Sequence, residues 1–490
     1  MSIAPLIDII HSGMLDKWPE RNQSAFAALF GSPEGRYGKA AEGSVTLRAP
    51  KMSSDAGVVF AAYIHPMNAT SGSYSGLSFV IFPVQDEPCL IGLVVGTGGL
   101  APDEAILGRP GHARKVQAIC SWLNSEFGSG ARIAWAKQDP TRIDVSVPAD
   151  VGQDWQAYHQ AFGRYGKEMY ALFRPTGHRV ATTKAVTAFL DLLFEERGHA
   201  PLAACRDDSE TIKHAWFERL MPSVEARQVK DLLTRRRYVI VQGPPGTGKT
   251  TMATSLLQQD YGGRGQSIQF HPNTTYESFV GGLAPANAEG ELGLRFQPTP
   301  GFLMQAAIQA RSDPSRNYLL HIDEINRTDL GKILGEAIFL LEVTTDAERR
   351  IELPYDFGEP FHRTLWLPKN LHILGTMNSA DRSIALVDVA VRRRFAFVSL
   401  WPSMSVVQEH GCLLMQDAFL RLVQIFVEHA SDDSFPLVPG HSYFLEKDEK
   451  RAKENLHVHL EPLLEEYLAQ GYVGGFAEPI RSYLQWLRSL

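Results

Sequence analysis

Cysteine is scarce in this chain: four in 490 residues, at Cys89, Cys120, Cys205 and Cys412, with no paired spacing. That excludes a disulfide framework and a zinc knuckle, and leaves reduced, partly buried thiols as the expectation. No apolar run approaches the ~20 residues needed to span a bilayer, and the opening MSIAPLIDIIHSGML has no basic segment ahead of its apolar residues. A soluble, cytoplasmic protein with no membrane association is expected. Positive charge is short as well, since 48 Lys and Arg against 55 Asp and Glu leave a formal net charge of -7. The chain has no overall basic field with which to grip nucleic acid, so any phosphate-holding surface must be local. Internal repeats and low-complexity stretches are also missing.

What is present is ordinary soluble composition, 44% apolar and 21% charged, in a chain long enough for two to four domains. One stretch organises the rest. In YVIVQGPPGTGKTT, residues 238–251, an apolar strand runs into a glycine- and proline-rich turn and then into a helical pattern. Gly243, Gly248, Lys249 and Thr250 satisfy G-x-x-x-x-G-K-[ST], whose glycines let backbone N–H groups converge on phosphate oxygens. The candidate nucleotide-binding set is therefore Gly243, Pro244, Pro245, Gly246, Thr247, Gly248, Lys249, Thr250 and Thr251. Lys249 is placed to reach the terminal phosphates and the Thr250 hydroxyl to ligate Mg2+.

Further along, YLLHID (318–323) is an apolar strand ending in two carboxylates, expected to neighbour the phosphate-loop strand. Asp323 is then the second magnesium ligand and Glu324 the general base toward water. His321 interrupts the strand and reads as a hydrogen-bonded core histidine. A fourth strand, LHILGTMN, delivers Asn378 at its carboxyl end, where an amide can orient the attacking water. Beyond it, Asp381 and Arg382 fall in a loop, and Arg392, Arg393 and Arg394 close a helix. A solvated helix end is one reading of the three arginines, and an arginine finger offered to a neighbouring subunit is the other.

Ahead of this module, residues 1–175 read as a separate α+β domain. Short apolar strands (SVTLRA, GVVFAAYIH, GLSFVIFPV, CLIGLVVG, ARIAWAK, RIDVSVP) accompany helices HARKVQAICSWLNSEF and DWQAYHQAFGRYGKEMYALF. Its charge is balanced, 15 Lys and Arg against 16 Asp and Glu. Arg109, Arg114 and Lys115 form its best phosphate-binding candidate, weighed against a solvated helix start. Trp122, Trp135 and Trp155 are candidates for lining a flat-ligand pocket, with core packing as the plainer role. Residues 176–225 read as a helical connector.

GPPGTGKT, FHPNTTYESFVGG, HIDEINRTDLGKILGEAIFLLE, ILGTMNSADRSIALVDVAVRRRFAF, GHSYFL and EPLLEEYL, in this order, resemble the AAA+ NTPase module of the McrB family. That family supplies the motor subunit of modification-dependent restriction systems, within the dynein-related and MoxR-like branch. The resemblance spans roughly residues 213–470. It implies an α/β AAA+ module over 226–402 with a helical lid over 403–490. It also implies ATP or GTP as substrate with Mg2+, and a homo-hexameric ring with nucleotide held between protomers. In that scheme Asn378 is the sensor, Asp381 and Arg382 belong to the MNxxDR signature associated with hydrolysis, and Arg393 or Arg394 acts in trans. Partners implied are a McrC-like nuclease subunit and DNA read through the N-terminal domain. That domain does not resemble the founding member's methylcytosine reader. A MoxR-like protein-remodelling ATPase and a nucleotide-gated assembly module are the competing readings.

Overall fold

A computed structural model describes the chain except residues 1–2, 14, 32, 51–56, 287–294, 343–348 and 381–387. It divides into two compact units: Met1–Met221 with the short stretch Val427–Ala430, and Pro222–Phe426 with Ser431–Leu490.

The first unit is built on six strands: β1 (Thr46–Arg48), β2 (Ala61–Ile64), β3 (Ser75–Val84), β4 (Glu87–Thr97), β5 (Ala134–Ala136) and β6 (Met169–Phe173). They form one antiparallel sheet in the order β1-β2-β3-β4-β6-β5. β3 and β4 are its longest pair, joined by a two-residue turn in which Asp86 takes the left-handed conformation (φ 62°). One sheet face is closed by Val151, Trp155, Tyr158 and Ala161 from the short helical pieces between β5 and β6.

Two expectations are corrected in this unit. RIDVSVP forms no strand, and MYALF, expected to continue a helix, is β6, with all five residues buried between β4 and β5. A five-residue apolar run carries no period by which strand and helix can be told apart, and pairing on both sides decided it. The expected connector is not a linker either. Helix Arg179–Glu196 buries residues all round its circumference, from Ala181 and Ala185 to Phe189 and Phe194, so it is a core element of the first unit. A second helix, Ala203–Phe217, packs on it.

The second unit opens with helix Ala226–Arg236, started by a reciprocal cap in which the Glu225 backbone N–H donates to Gln228 Oε1 (2.9 Å). Its strands are β7 (Tyr238–Gly243), β8 (Gly265–Gln269), the hairpin β9 (Gly281–Ala286) with β10 (Arg295–Pro300), β11 (Tyr318–Asp323), the small pair β12 (Ile351–Glu352) with β13 (Thr364–Leu365), β14 (Leu371–Asn378) and β15 (Ala396–Ser399). Five of them make a parallel sheet in the order β15-β7-β14-β11-β8. Both faces are covered. Tyr238, Ile240, Leu320 and Ile322 enter one core, while Val239, Val241, Leu319 and Leu374 enter the other with Leu256 of the chain after the phosphate loop. Burial on two sides is why these strands read as unbroken apolar runs.

β11 was expected to lie beside β7, but β14 is inserted between them, paired Ile322 to Gly375 on one side and Asn378 to Gly243 on the other. The order therefore sets the end of β14 between the phosphate loop and the two carboxylates. Residues after Ser403 are mainly helical, from Met404–His410 to Ala477–Arg488.

Candidate functional site

The carboxyl ends of β7, β14 and β11 converge on a cleft of about 320 Å³ lined by Gly246, Lys249, Thr250, Asp323, Asn378 and Ser442, among others. The turn after β7 holds Gly246 at φ 77° and Gly248 at φ 80°, in the left-handed region that glycine enters without strain. Helix Lys249–Ser255 starts there. A Cβ at Gly246 would sit 2.4 Å from Ser442 Oγ. One at Gly440 would fall 2.0 Å from the Gly246 carbonyl carbon. The GHSYFL segment thus lies directly on the phosphate loop, with Gly440 N donating to Pro245 O (2.8 Å) and Ser442 N to Gly246 O (3.0 Å).

Lys249 is buried, and its Nζ donates to Gly243 O (3.0 Å) and Pro244 O (2.7 Å) of its own loop. Burial pushes this ammonium down to about 8 against an opposing pull from Glu324 and Asp323. A buried cation held only by loop carbonyls and two facing carboxylates fits a site made for phosphate oxygens, which supply the charge that the carbonyls lack.

Thr250 Oγ1 lies 3.2 Å from both Asp323 oxygens. Asp323 Oδ1 also accepts from the Glu324 backbone N–H (3.2 Å) and from the Thr376 hydroxyl. Among the described residues no cluster of three or more His, Cys, Asp or Glu could hold a metal ion alone. A hydroxyl and one carboxylate, both hard oxygen donors, are instead the donor set that would hold Mg2+ together with a bound phosphate. Glu324 adopts φ 52°, and its Oε1 accepts from Asn378 Nδ2 at 2.8 Å. Its other oxygen is 3.6 Å from Arg327 Nε.

Not every candidate comes to this cleft. Asp381 and Arg382 lie outside the described residues. Arg393 and Arg394, on helix Val389–Arg394, are not among the cleft-lining residues, and they differ from each other. Both lie 3.9 Å from Glu342, but the Arg393 side chain is 67% exposed, whereas that of Arg394 is 10% exposed and donates to Ala390 O (2.8 Å).

In the first unit Lys115 is buried and paired with Glu196 (3.0 Å), which His112 and Lys115 hold below the usual carboxylate range despite its burial. It is therefore not an open phosphate grip. Trp122 and Trp155 are buried, the latter donating to Arg132 O (3.0 Å), and Trp135 packs against the same core as Trp155.

Sequence reading missed Thr376 and Ser442. The first is an unremarkable strand threonine until strand order puts it beside Asp323. The second sits in GHSYFL, a motif that nothing local connects to the phosphate loop.

A five-stranded parallel sheet with a phosphate loop after β7, an Asp-Glu pair after β11 and an asparagine ending the strand between them is a P-loop nucleoside triphosphatase module of the AAA+ class. Residues 238–395 match the AAA domain of the dynein-related subfamily. The chain is 28% identical over 356 residues to the "Type IV methyl-directed restriction enzyme EcoKMcrB subunit" of Escherichia coli (strain K12), covering 66% of this chain and 76% of that protein. It is 26% identical over 194 residues to the "Type II restriction enzyme BsuMI component YdiS" of Bacillus subtilis (strain 168), covering 33% and 56%. A third relative, the uncharacterized protein YehL of Escherichia coli (strain K12), is 26% identical over 190 residues, covering 39% and 48%. The chain thus spans about half the length of the last two. Its module is a McrB-like AAA+ NTPase module. No helix among the described residues is long and apolar enough to cross a membrane.

Proposed function

We propose that the protein hydrolyses ATP or GTP as a ring-forming, McrB-like motor of a prokaryotic restriction system. In this reading the N-terminal unit recognises a DNA target and a separate nuclease subunit of McrC type cuts it. The observation that carries the hydrolytic part is the convergence of Lys249, Thr250, Asp323, Glu324 and Asn378 on one cleft. Lys249 neutralises phosphate charge. Thr250 and Asp323 would hold Mg2+, which when bound offsets charge between phosphates. Glu324 accepts the proton of the attacking water, and Asn378, bonded to Glu324 Oε1, fixes where that carboxylate points.

Assembly is supported by an imbalance of charge. Among the described residues lining the cleft, Lys249 is the one cation set against a triphosphate, while the exposed Arg393 lies outside the cleft, where a neighbouring site could take it. The restriction context is supported by the names of two relatives, each a part of a restriction enzyme.

The test is ATP and GTP turnover of the full chain, alone, with a panel of methylated and unmethylated DNAs, and with the candidate nuclease subunit. Light scattering in a slowly hydrolysed analogue measures ring size. Hydrolysis stimulated by DNA or by the nuclease subunit is expected. Stimulation by unfolded protein clients alone would favour the remodelling reading, and a monomer hydrolysing at full rate would remove the ring.

A further inference from the structure

We propose that His321 is a positioning residue for the magnesium-facing carboxylate, the middle of a hydrogen-bonded relay Ser267–His321–Thr376–Asp323 that sets the orientation of Asp323. The inference rests on the hydrolytic reading of the cleft and adds a residue to it.

The relay follows from register. His321 and Asp323 are two residues apart on β11 and share a sheet face, and His321 is paired with Ser267 on the edge strand β8. Across the other edge of β11 lies β14, which carries Thr376. His321 Nδ1 is 2.6 Å from Ser267 Oγ, and His321 Nε2 is 3.4 Å from Thr376 Oγ1. Thr376 Oγ1 bonds Asp323 Oδ1 in turn, and both His321 and Thr376 are 1% exposed.

The carboxylate dictates the direction of every link. An ionised carboxylate only accepts, so the Thr376 hydroxyl must donate to Asp323. The Thr376 oxygen is then free to accept, and the His321 Nε2–H donates to it. That leaves a lone pair on Nδ1, which accepts the Ser267 hydroxyl. This arrangement takes a neutral ring with its one proton on Nε2. Chains of bonds aligned in one sense polarise one another, so each link strengthens the last. With Oδ1 taken by Thr376 and the Glu324 N–H, the carboxylate cannot rotate freely, and it faces the Thr250 hydroxyl in one pose.

A histidine merely satisfied in the core would matter to folding alone. A positioning histidine matters to magnesium, and outer partners of this kind typically contribute ~10–100-fold to metal affinity.

The experiment is equilibrium binding of a fluorescent, slowly hydrolysed adenine or guanine nucleotide, whichever the full chain binds more tightly, in EDTA and across a Mg2+ titration. Mn2+ binding followed by electron paramagnetic resonance runs in parallel. His321→Leu should leave affinity in EDTA unchanged and raise the Mg2+ needed for half-maximal tight binding by roughly 10-fold. His321→Gln, whose amide N–H can take the place of Nε2–H, should recover most of that loss. Thr376→Val should shift the requirement at least as far as His321→Leu. A wild-type Mg2+ requirement in His321→Leu, equal loss with and without Mg2+, or a glutamine no better than leucine would overturn the proposal. Should His321→Leu not fold, Thr376→Val and Ser267→Ala decide in its place, and unshifted Mg2+ requirements in both would overturn it. Wild-type protein that binds nucleotide without any Mg2+ dependence would instead overturn the reading of the cleft itself.

Discussion

Raising pH through the range where Lys249 titrates perturbs one charge in the cleft and leaves the loop intact. Burial depresses this ammonium from the ordinary 10.5 to about 8. That depression corresponds to about 3 kcal/mol of disfavour for the charged form. Below pH 8 the group is protonated folded and unfolded, so the penalty is fully present. As pH rises from 8 toward 10.5 the unfolded chain keeps the proton while the folded one releases it, and Lys249 by itself makes the fold more stable.

Nucleotide binding has the opposite slope. Phosphate oxygens beside Nζ favour the ammonium, so above pH 8 binding must take up a proton. Affinity should be level below pH 8 and fall by up to about tenfold per pH unit above it. At pH 8.5, about three quarters of a proton should be taken up per site, given a free-state value near 8. Titration calorimetry of an adenine nucleotide in two buffers of different ionisation enthalpy measures that uptake, and the phosphates are already fully ionised there. Lys249→Ala should bind roughly 10- to 100-fold more weakly, as loss of charged hydrogen bonds implies, and show no such slope. Wild-type affinity that stays level to pH 9.5, or zero proton uptake at pH 8.5, would refute the reasoning.

Glu324→Gln should keep nucleotide affinity and lose turnover by at least ~10²-fold, because the carboxylate acts on water in the transition state; normal single-turnover rates in this variant would exclude Glu324 as the base. Gly440→Ala should weaken nucleotide binding and lower Tm, since its Cβ would lie 2.0 Å from the Gly246 backbone; an unchanged melting curve and affinity would mean the GHSYFL segment moves aside freely. Arg393→Ala, at an exposed position, should change stability by less than about 0.5 kcal/mol and depress turnover by ~10³-fold, rescued in part when mixed with Lys249→Ala subunits. Arg394→Ala, which strips a mostly buried guanidinium from Ala390 O and Glu342, should cost roughly 1–3 kcal/mol; thermal melts of the two variants separate the roles.

The phosphate loop and the Asp323–Glu324 pair were legible in the linear chain because their constraints are local. A strand, a turn that only glycine fits and a helix start follow one another within fourteen residues. The sheet order was not legible. Parallel strands are joined by long crossovers, so nothing near Leu371–Asn378 tells that it slides between β7 and β11, and that insertion is what puts Thr376 beside Asp323 and Asn378 beside Glu324. Burial was equally non-local. Arg393 and Arg394 are the same residue type in adjacent positions, and only packing exposes one and covers the other. The helix Arg179–Glu196, read as a connector, and the strand Met169–Phe173, read as helix, have the same cause: an apolar run states that it will be buried, while the partner that buries it is chosen elsewhere in the chain.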